Sequence, residues 1–144
     1  MKNTLHRLTV RSTSWLSGMI VAIIFALSAH AAGDNIPQEA YDWLVLLDNK
    51  QYQQSYEAAA PLFKQATTAL QWQAAAEQAR GSLGAFKSRK VASAQRVDNL
   101  PGLPTGEYQV IDFHSSFALK NAANERLVLV NNEEGWQTIG YFVR

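Results

Sequence analysis

The chain has 144 residues, of which 47% are hydrophobic and 17% are charged, a composition typical of one small globular domain and not of a disordered or collagen-like chain. Three of the 13 basic residues lie in the first eleven positions, where no acidic residue occurs, so the part after residue 31 carries ten basic and twelve acidic side chains. This slightly acidic balance excludes a strongly basic nucleic-acid-binding surface, and the lack of cysteine excludes disulfides, thiolate metal sites and cysteine nucleophiles.

The N-terminal segment has the layout of a secretory signal peptide. A basic lead, Met1–Arg11, is followed by fifteen uncharged and mostly apolar residues, Trp15–Ala29. Ala29-His30-Ala31 then supplies the small residues that precede a cleavage point. We therefore predict a signal peptide over residues 1–31 that is cleaved after Ala31.

Cleavage leaves a single α+β domain, residues 32–144, in the periplasm or the medium. The alternative is an uncleaved inner-membrane anchor over residues 15–32, although the apolar run is shorter than the ~20 residues that span a bilayer. No second apolar run of that length follows, so we expect no membrane span after cleavage.

Helices are predicted for the first half of the mature chain. Pro37 suits the first turn of a helix, and apolar residues then recur at helical spacing up to Leu47. A second helical stretch runs from about Gln51 to Ala60 and ends at Pro61, which disfavours helical geometry in the residue before it.

The last predicted helix is also the most clearly marked. Thr68 and Gln71 have the spacing of a capping box. An apolar stripe then continues from Trp72 to Leu83, and Gly84 lies just past the end, where a left-handed cap is favoured. Helix therefore accounts for much of the chain between Pro37 and Leu83.

Four strands are predicted after Gly84. They are 86–97, 107–117, 125–130 and 136–143. In the second strand, Gln109, Ile111, Phe113, Ser115 and Phe117 share one face. Between the first two strands lies a turn-rich connection in which Gly102 and Gly106 are expected to need special backbone angles, and Gly135 is available for a hairpin. Helices followed by antiparallel strands predict an α+β domain with N-terminal helices packed on a curved, mainly antiparallel four-stranded sheet.

Several local sequences carry a resemblance to a known family. They are Trp43-Leu44 with Leu47-Asp48-Asn49-Lys50-Gln51-Tyr52; Trp72 with Arg80-Gly81-Ser82-Leu83-Gly84 and Ser88-Arg89; Leu100-Pro101-Gly102-Leu103-Pro104-Thr105-Gly106-Glu107-Tyr108; Phe113 with Phe117; and Gly135-Trp136 with Gly140-Tyr141-Phe142. Together they resemble a bacterial family of small exported proteins known as domain of unknown function 4019. The resemblance implies export but no activity, so no catalytic residue is carried over. The order of elements is also similar to the nuclear-transport-factor-like cone, a fold that hosts enzymes, ligand binders and dimers alike.

His114 and Asp112 are the candidate catalytic residues. They are two apart on a strand and so point to the same face, where they could act as a base and its orienting acid. The opposite face carries the predicted core, which makes a pair of solvated polar residues the better interpretation. One histidine in the mature chain and no cysteine make a metal site improbable, and we expect no cofactor.

Arg80 is the candidate ligand-binding residue. It could clamp an anionic ligand, but a structural arginine that binds helix carbonyls or an acid from the sheet is favoured. Four basic residues of the first strand are expected to protect a solvated edge, with Lys87 and Arg89 on one face and Lys90 and Arg96 on the other. Trp43, Trp72 and Trp136 could line a pocket, but aromatic residues at such spacing are more often core.

The outer face of the sheet is predicted to pack against a second copy of the chain. The strand Arg126–Val130 is apolar on both sides, whereas a sheet with one solvated face should alternate. Val110 and Phe142 add apolar surface to the same side.

The favoured function is an exported, non-enzymatic binding or assembly domain with a possible homodimer through the sheet and no nucleic-acid partner. The alternative is an acid–base enzyme or small-ligand carrier with a cone-shaped pocket.

Overall fold

The structure, a computed structural model, describes residues 35–144. The predicted signal peptide and its cleavage point after Ala31 lie outside the described residues. The described elements, in chain order, are α1 (Gln38–Asp48), α2 (Tyr52–Glu57), α3 (Pro61–Ala66), α4 (Ala69–Gly81), β1 (Phe86–Val97), β2 (Tyr108–Phe117), β3 (Ala123–Asn132) and β4 (Gly135–Val143). This order confirms the predicted α+β class. None of the helices in the described part is long and apolar enough to cross a membrane.

The helix ends follow the local chemistry of the sequence. Helix α1 begins directly after Pro37 and buries its stripe of Ala40, Trp43, Leu44 and Leu47. At the start of α4, the Thr68 hydroxyl accepts a hydrogen bond from the Gln71 N–H at 3.3 Å, and the Gln71 side-chain oxygen accepts one from the Thr68 N–H at 3.0 Å. The predicted capping box is therefore present, and it satisfies two backbone donors that the helix itself leaves free.

A short helix that the sequence analysis did not predict begins at Pro61. The sequence predicts a kink or a helix end at Pro61, but Pro61 is the first residue of α3, where its missing N–H is not needed. Helix α2 correspondingly ends at Glu57, three residues earlier than expected. Between them, the Ala60 N–H donates to the Thr138 carbonyl at 2.9 Å and so links the helices to β4.

The four strands form an antiparallel meander in the order β1-β2-β3-β4. Ile111 on β2 lies opposite Leu127 on β3, which in turn lies opposite Tyr141 on β4. These side chains form one face of the sheet, here called the inner face, and the helices pack on it through Trp43, Trp72 and their neighbours in one core cluster. The other face, here called the outer face, has no helix of the described chain packed on it.

Irregularities in β1 change which of its basic side chains point inward. The register shifts between Phe86 and Ser88 and again between Val91 and Ser93. As a result Arg89 lies opposite Ser115, and Arg96 lies opposite Gln109, both on the inner face. The expectation that Arg89 and Arg96 lie on different faces was wrong, because the shift between Val91 and Ser93 adds one residue between them and so reverses the alternation of side chains.

The connection between β1 and β2 also departs from prediction in one position. Gly102 has φ of +80° and Gly135 has φ of +95°, as expected for turns that favour glycine, but Gly106 has no positive φ. The connection covers one end of the outer face, where the Tyr108 hydroxyl donates to the Pro104 carbonyl. Tyr108 is consequently only 1% exposed, although it lies on the outer face opposite Val130.

Candidate functional site

Four charged side chains from four different elements meet between the helices and the inner face. Asp48 ends α1, Arg80 lies in the last turn of α4, Arg89 is on β1 and Glu125 is on β3. We call these four residues the ion cluster. Their side chains are between 0% and 10% exposed, so the cluster is almost entirely removed from water.

Each guanidinium of the ion cluster binds both carboxylates. Arg80 donates to Glu125 at 2.8 Å and to Asp48, while Arg89 donates to Glu125 at 2.7 Å and to Asp48 at 3.0 Å. Two positive and two negative charges therefore form a closed, electrically neutral ring. Arg89 forms two hydrogen bonds with each carboxylate, whereas Arg80 donates one to each. Such charge-assisted hydrogen bonds are what offsets the loss of hydration of buried charges.

Neutral groups complete the coordination of the ion cluster. The Tyr141 hydroxyl donates to Glu125 at 2.6 Å and accepts from Arg80 at 2.9 Å, and the Ser115 hydroxyl donates to Glu125. Aromatic rings lie against the guanidinium groups: Arg80 is 4.7 Å from the centre of the Phe117 ring, and Arg89 is 4.4 Å from that of Phe86.

The electrostatics of the ion cluster favour the ionised forms of Glu125, Arg80 and Arg89. Burial by itself opposes ionisation of Glu125, but the hydrogen bonds and charge of Arg89, with the Ser115 and Tyr141 hydroxyls, lower the pKa of Glu125 below its usual value. Burial, followed by the charge of Glu125, raises the pKa of Tyr141. For Arg89, burial is again the largest opposing effect, yet its bonds to the two carboxylates raise the pKa. Neither Glu125 nor Arg89 is thus set to exchange a proton near pH 7.

Arg80, the candidate anion-binding residue, lies in this ion cluster. Its side chain is 5% exposed, and its two terminal nitrogens bind Asp48, Glu125 and Tyr141. An external anion would have to displace carboxylates of the chain itself. The arrangement is therefore suited to holding α1, α4 and the sheet together.

Asp112 and His114 lie on the outer face, and each binds a different partner. Asp112 accepts two hydrogen bonds from Arg126, at 2.7 and 2.9 Å, and one from Ser93 at 3.2 Å. The hydrogen bond from Arg126 is the main cause that lowers the pKa of Asp112. His114 is exposed, borders a shallow cavity of about 260 Å³, and its Nδ1 lies 3.0 Å from the Asn124 side-chain oxygen. Among the described contacts, no carboxylate orients the imidazole as a general base requires.

The outer face also carries apolar side chains at its centre. Val110 and Val128 lie opposite each other on β2 and β3, and Val130 follows on β3; all three are half-buried. Phe142 on β4 is 63% exposed. We call Val110, Val128, Val130 and Phe142 the outer strip. A group of apolar side chains on one open face of a sheet is a feature that interaction surfaces share.

The acidic members of the ion cluster were not predicted from the sequence, although the position of Glu125 in its strand indicated one of them. In β3 the residues Ala123, Glu125, Leu127 and Leu129 alternate onto the inner face, so a carboxylate occupies a core position. A charge in such a position needs a buried partner, and Arg80 on an apolar helix stripe was a candidate. Asp48 gives no such signal in the sequence, because it comes directly after Leu47, the last residue of the apolar stripe of α1.

The fold and the contacts define a class: a small α+β domain whose helices pack on one face of an antiparallel four-stranded meander around a buried ion cluster. Residues 39–141 match the family described as "Protein of unknown function (DUF4019)", and the chain belongs to that family. This confirms the resemblance found in the sequence. No curated protein and no solved structure matches the chain, so the likeness to the nuclear-transport-factor-like cone stays a prediction.

Proposed function

We propose that this protein is an exported, non-enzymatic domain that acts by binding and assembly, and that it forms a homodimer through the outer face of its sheet. The observation that carries the proposal is the outer strip, with its exposed Phe142 beside three half-buried valines. The internal chemistry supports a non-catalytic role. The buried charges bind one another, and His114 and Asp112 have separate partners.

A second copy of the chain is the partner that best fits the outer face. Four strands of about ten residues give a face of roughly 650 Å², of which the β1–β2 connection covers one end, whereas each partner contributes ~800 Å² to a standard interface. Two sheets that face each other pack about 10 Å apart, and Val110, Val128 and Val130 would meet their copies at the centre of such an interface. The neighbouring Asp112–Arg126 pair is electrically neutral and adds no net repulsion between two copies.

Sedimentation equilibrium of the purified protein from 1 to about 100 µM tests the dimer, since standard interfaces give affinities in or below this range. We expect the wild type to dimerise and Val128→Lys to sediment as a monomer because a lysine at the centre of the outer strip would be desolvated without a partner. Gln78→Lys, which adds the same charge at an exposed position of α4, should dimerise like the wild type. A monomeric wild type over the whole range, or a dimeric Val128→Lys variant that retains its circular dichroism spectrum, would refute the interface.

Export is the second part of the proposal, and it rests on the basic lead and apolar run of residues 1–31. Cell fractionation followed by intact-mass measurement tests it. We expect a periplasmic product that begins at Ala32. A full-length product in the membrane fraction would instead support the anchor over residues 15–32.

A further inference from the structure

The two ends of the sheet carry opposite charge. The β1–β2 connection and the β3–β4 hairpin lie at one end and hold four carboxylates, those of Asp98, Glu107, Glu133 and Glu134. At the other end the α4–β1 connection meets the β2–β3 turn, and neither of the segments that form it, 78–90 and 113–124, contains an acidic residue. The exposed lysines there are Lys87, Lys90 and Lys120. We call this part of the molecule the basic end.

The charge of the basic end is not compensated by the chain itself. None of its three lysines takes part in an ion pair within residues 35–144. The carboxylates that lie toward this end already have partners, because those of the ion cluster bind its two arginines and Asp112 binds Arg126. The lysines therefore favour an anionic partner.

A second, independent feature of the basic end is an exposed leucine on a fixed turn. Leu119, between β2 and β3, is 75% exposed. Its backbone N–H donates to the Leu83 carbonyl at 2.8 Å, and the Ala118 N–H donates to the Ala85 carbonyl at 2.7 Å, so the turn is tied to the α4–β1 connection. A single exposed leucine is ordinary on a protein surface. Here, however, the backbone holds it at the tip of the end that carries the three lysines.

A third feature is a shallow hollow of about 260 Å³ beside the same turn. Lys90 and Ser88 line it from β1, His114 and Ser116 from β2, and Asn121 from the turn. All of these side chains can donate hydrogen bonds, and the lining includes no carboxylate. An ammonium group among hydroxyl and amide donors is a set that suits phosphate oxygens.

The combination of these features favours a lipid surface over a soluble anion. A free phosphate could occupy the hollow, but it would leave Leu119 in water. At the surface of a bilayer, an apolar side chain enters the boundary between headgroups and acyl chains, while lysines beside it keep their ammonium groups among the lipid phosphates. Both kinds of side chain at the basic end would then have partners.

We propose that the basic end docks on the surface of a membrane that contains anionic phospholipid. Leu119 would enter the headgroup boundary, Lys87 and Lys120 would pair with phosphates around it, and the hollow beside Lys90 would hold one headgroup phosphate. With three lysines and one leucine, this attachment is weak and reversible. The proposed dimer is centred on the outer strip, so either proposal can fail without the other.

Co-sedimentation with lipid vesicles tests the docking. The predicted mature chain, residues 32–144, contains every element of the described fold and avoids binding through the apolar N-terminal run. At low ionic strength we expect it to bind vesicles of equal parts phosphatidylglycerol and phosphatidylcholine but not vesicles of phosphatidylcholine alone. Added salt should release it, because the lysines are exposed. No binding to the mixed vesicles, or equal binding to the neutral ones, would overturn the proposal.

Two matched pairs of variants locate the docking surface. Lys120→Glu should weaken vesicle binding about tenfold, whereas Lys64→Glu, the same charge change at an exposed position of α3, should have less than about a twofold effect. Leu119→Ser should weaken binding about fivefold, and Leu70→Ser, at an 80% exposed position near the start of α4, should leave it unchanged. Equal effects within either pair would overturn the assignment.

A polyanion without lipid distinguishes the membrane from an acidic protein partner. We expect polyglutamate in solution to bind more weakly than the mixed vesicles, since it offers no apolar boundary for Leu119. Polyglutamate binding that is as tight as vesicle binding and unaffected by Leu119→Ser would overturn the proposal in favour of an acidic protein partner.

Discussion

Glu125 is stable as a buried carboxylate because every direction around it is occupied by a donor. Its two oxygens receive hydrogen bonds from Arg80, Arg89, Ser115 and Tyr141. Moving an isolated charge from water into a protein interior costs several kcal/mol, and only such complete coordination offsets that cost. Each member of the ion cluster therefore depends on the others.

Replacement of Glu125 by glutamine should strongly destabilise the protein. The change leaves Arg80 and Arg89 with one carboxylate between them, so a positive charge is buried without compensation. We expect the free energy of unfolding to fall by about 3–5 kcal/mol. Urea unfolding followed by tryptophan fluorescence measures this, with Asp112→Asn as the control. Asp112 forms an exposed pair with Arg126, so its loss should cost less than about 1 kcal/mol, and equal effects of the two variants would contradict the distinction.

Gln109, in contrast to Glu125, is a buried polar side chain without hydrogen-bond partners among the described residues. It is 0% exposed, yet neither its amide nitrogen nor its amide oxygen has a hydrogen-bond partner within the described residues. Gln109→Met keeps the side-chain length and removes both polar atoms, so we expect the free energy of unfolding to rise by about 1 kcal/mol. Gln73→Met, on a residue whose amide donates to Glu77, serves as the control in the same urea experiment and should not stabilise. A loss of stability in Gln109→Met would indicate that the amide is hydrogen-bonded in solution.

At the scale of the elements, α4 connects the core to the ion cluster. Trp72, near its start, packs against the ring of Phe63 with 5.0 Å between ring centres, and its Nε1 donates to the Ser55 hydroxyl at 2.9 Å. Arg80, two turns later, reaches the sheet. The same helix thus supplies both an apolar and an ionic contact to its neighbours.

Trp72→Ala should cost about 3–5 kcal/mol of unfolding free energy. The side chain is 8% exposed, so its removal leaves a cavity between α2, α3 and β4. The Ser55 hydroxyl also loses the hydrogen bond that it accepts from Trp72, although it still donates to the Tyr52 carbonyl. Leu70→Ala, on the same helix but at a position that is 80% exposed, should change stability by less than about 0.5 kcal/mol. Thermal unfolding followed by circular dichroism compares the two. A loss below about 1 kcal/mol for Trp72→Ala would place its ring outside the core.

The loop between β1 and β2 contains two glycines, and only one of them has a positive φ. Gly102 has φ of +80° with open space around it, whereas Gly106 has no positive φ, and a Cβ there would meet Tyr108 at an ordinary 3.8 Å. Gly102→Ala should therefore destabilise the protein by more than about 1 kcal/mol, because alanine is strained at that angle. Gly106→Ala should be close to neutral in the same thermal unfolding experiment. The reverse order of the two effects would contradict the assigned turn.

The stability of the whole molecule should depend on pH through the ion cluster. The pKa of Glu125 in the folded state lies below its usual value of 4.5, so folding favours its ionised form. The stabilisation that results is fully present above about pH 4.5 and is lost as the pH falls through the lower pKa of the folded state. Urea unfolding between pH 3 and 7 should show a decline confined to the acid side. Glu125→Gln should show a shallower decline, and identical slopes would assign the acid sensitivity to other carboxylates.

Much of the fold could be predicted from the sequence because its signals are local. The helical stripe of α1, the capping box of Thr68 and Gln71, and the alternation of β2 depend on residues within a few positions of one another. The departures are equally local in origin. Pro61 is compatible with either the end or the start of a helix, and the register shifts of β1 have no marker in a strand without apolar alternation.

By itself, the sequence determined the α+β class, the order of all the elements except α3, and the family, since periodicity, caps and short motifs suffice for these. The tertiary structure alone decided which side chains meet. The ion cluster joins Asp48, Arg80, Arg89 and Glu125 across separations of 32 to 45 residues along the chain. Such contacts depend on the packing of elements and on the register of strands, and neither is encoded within a local stretch of residues.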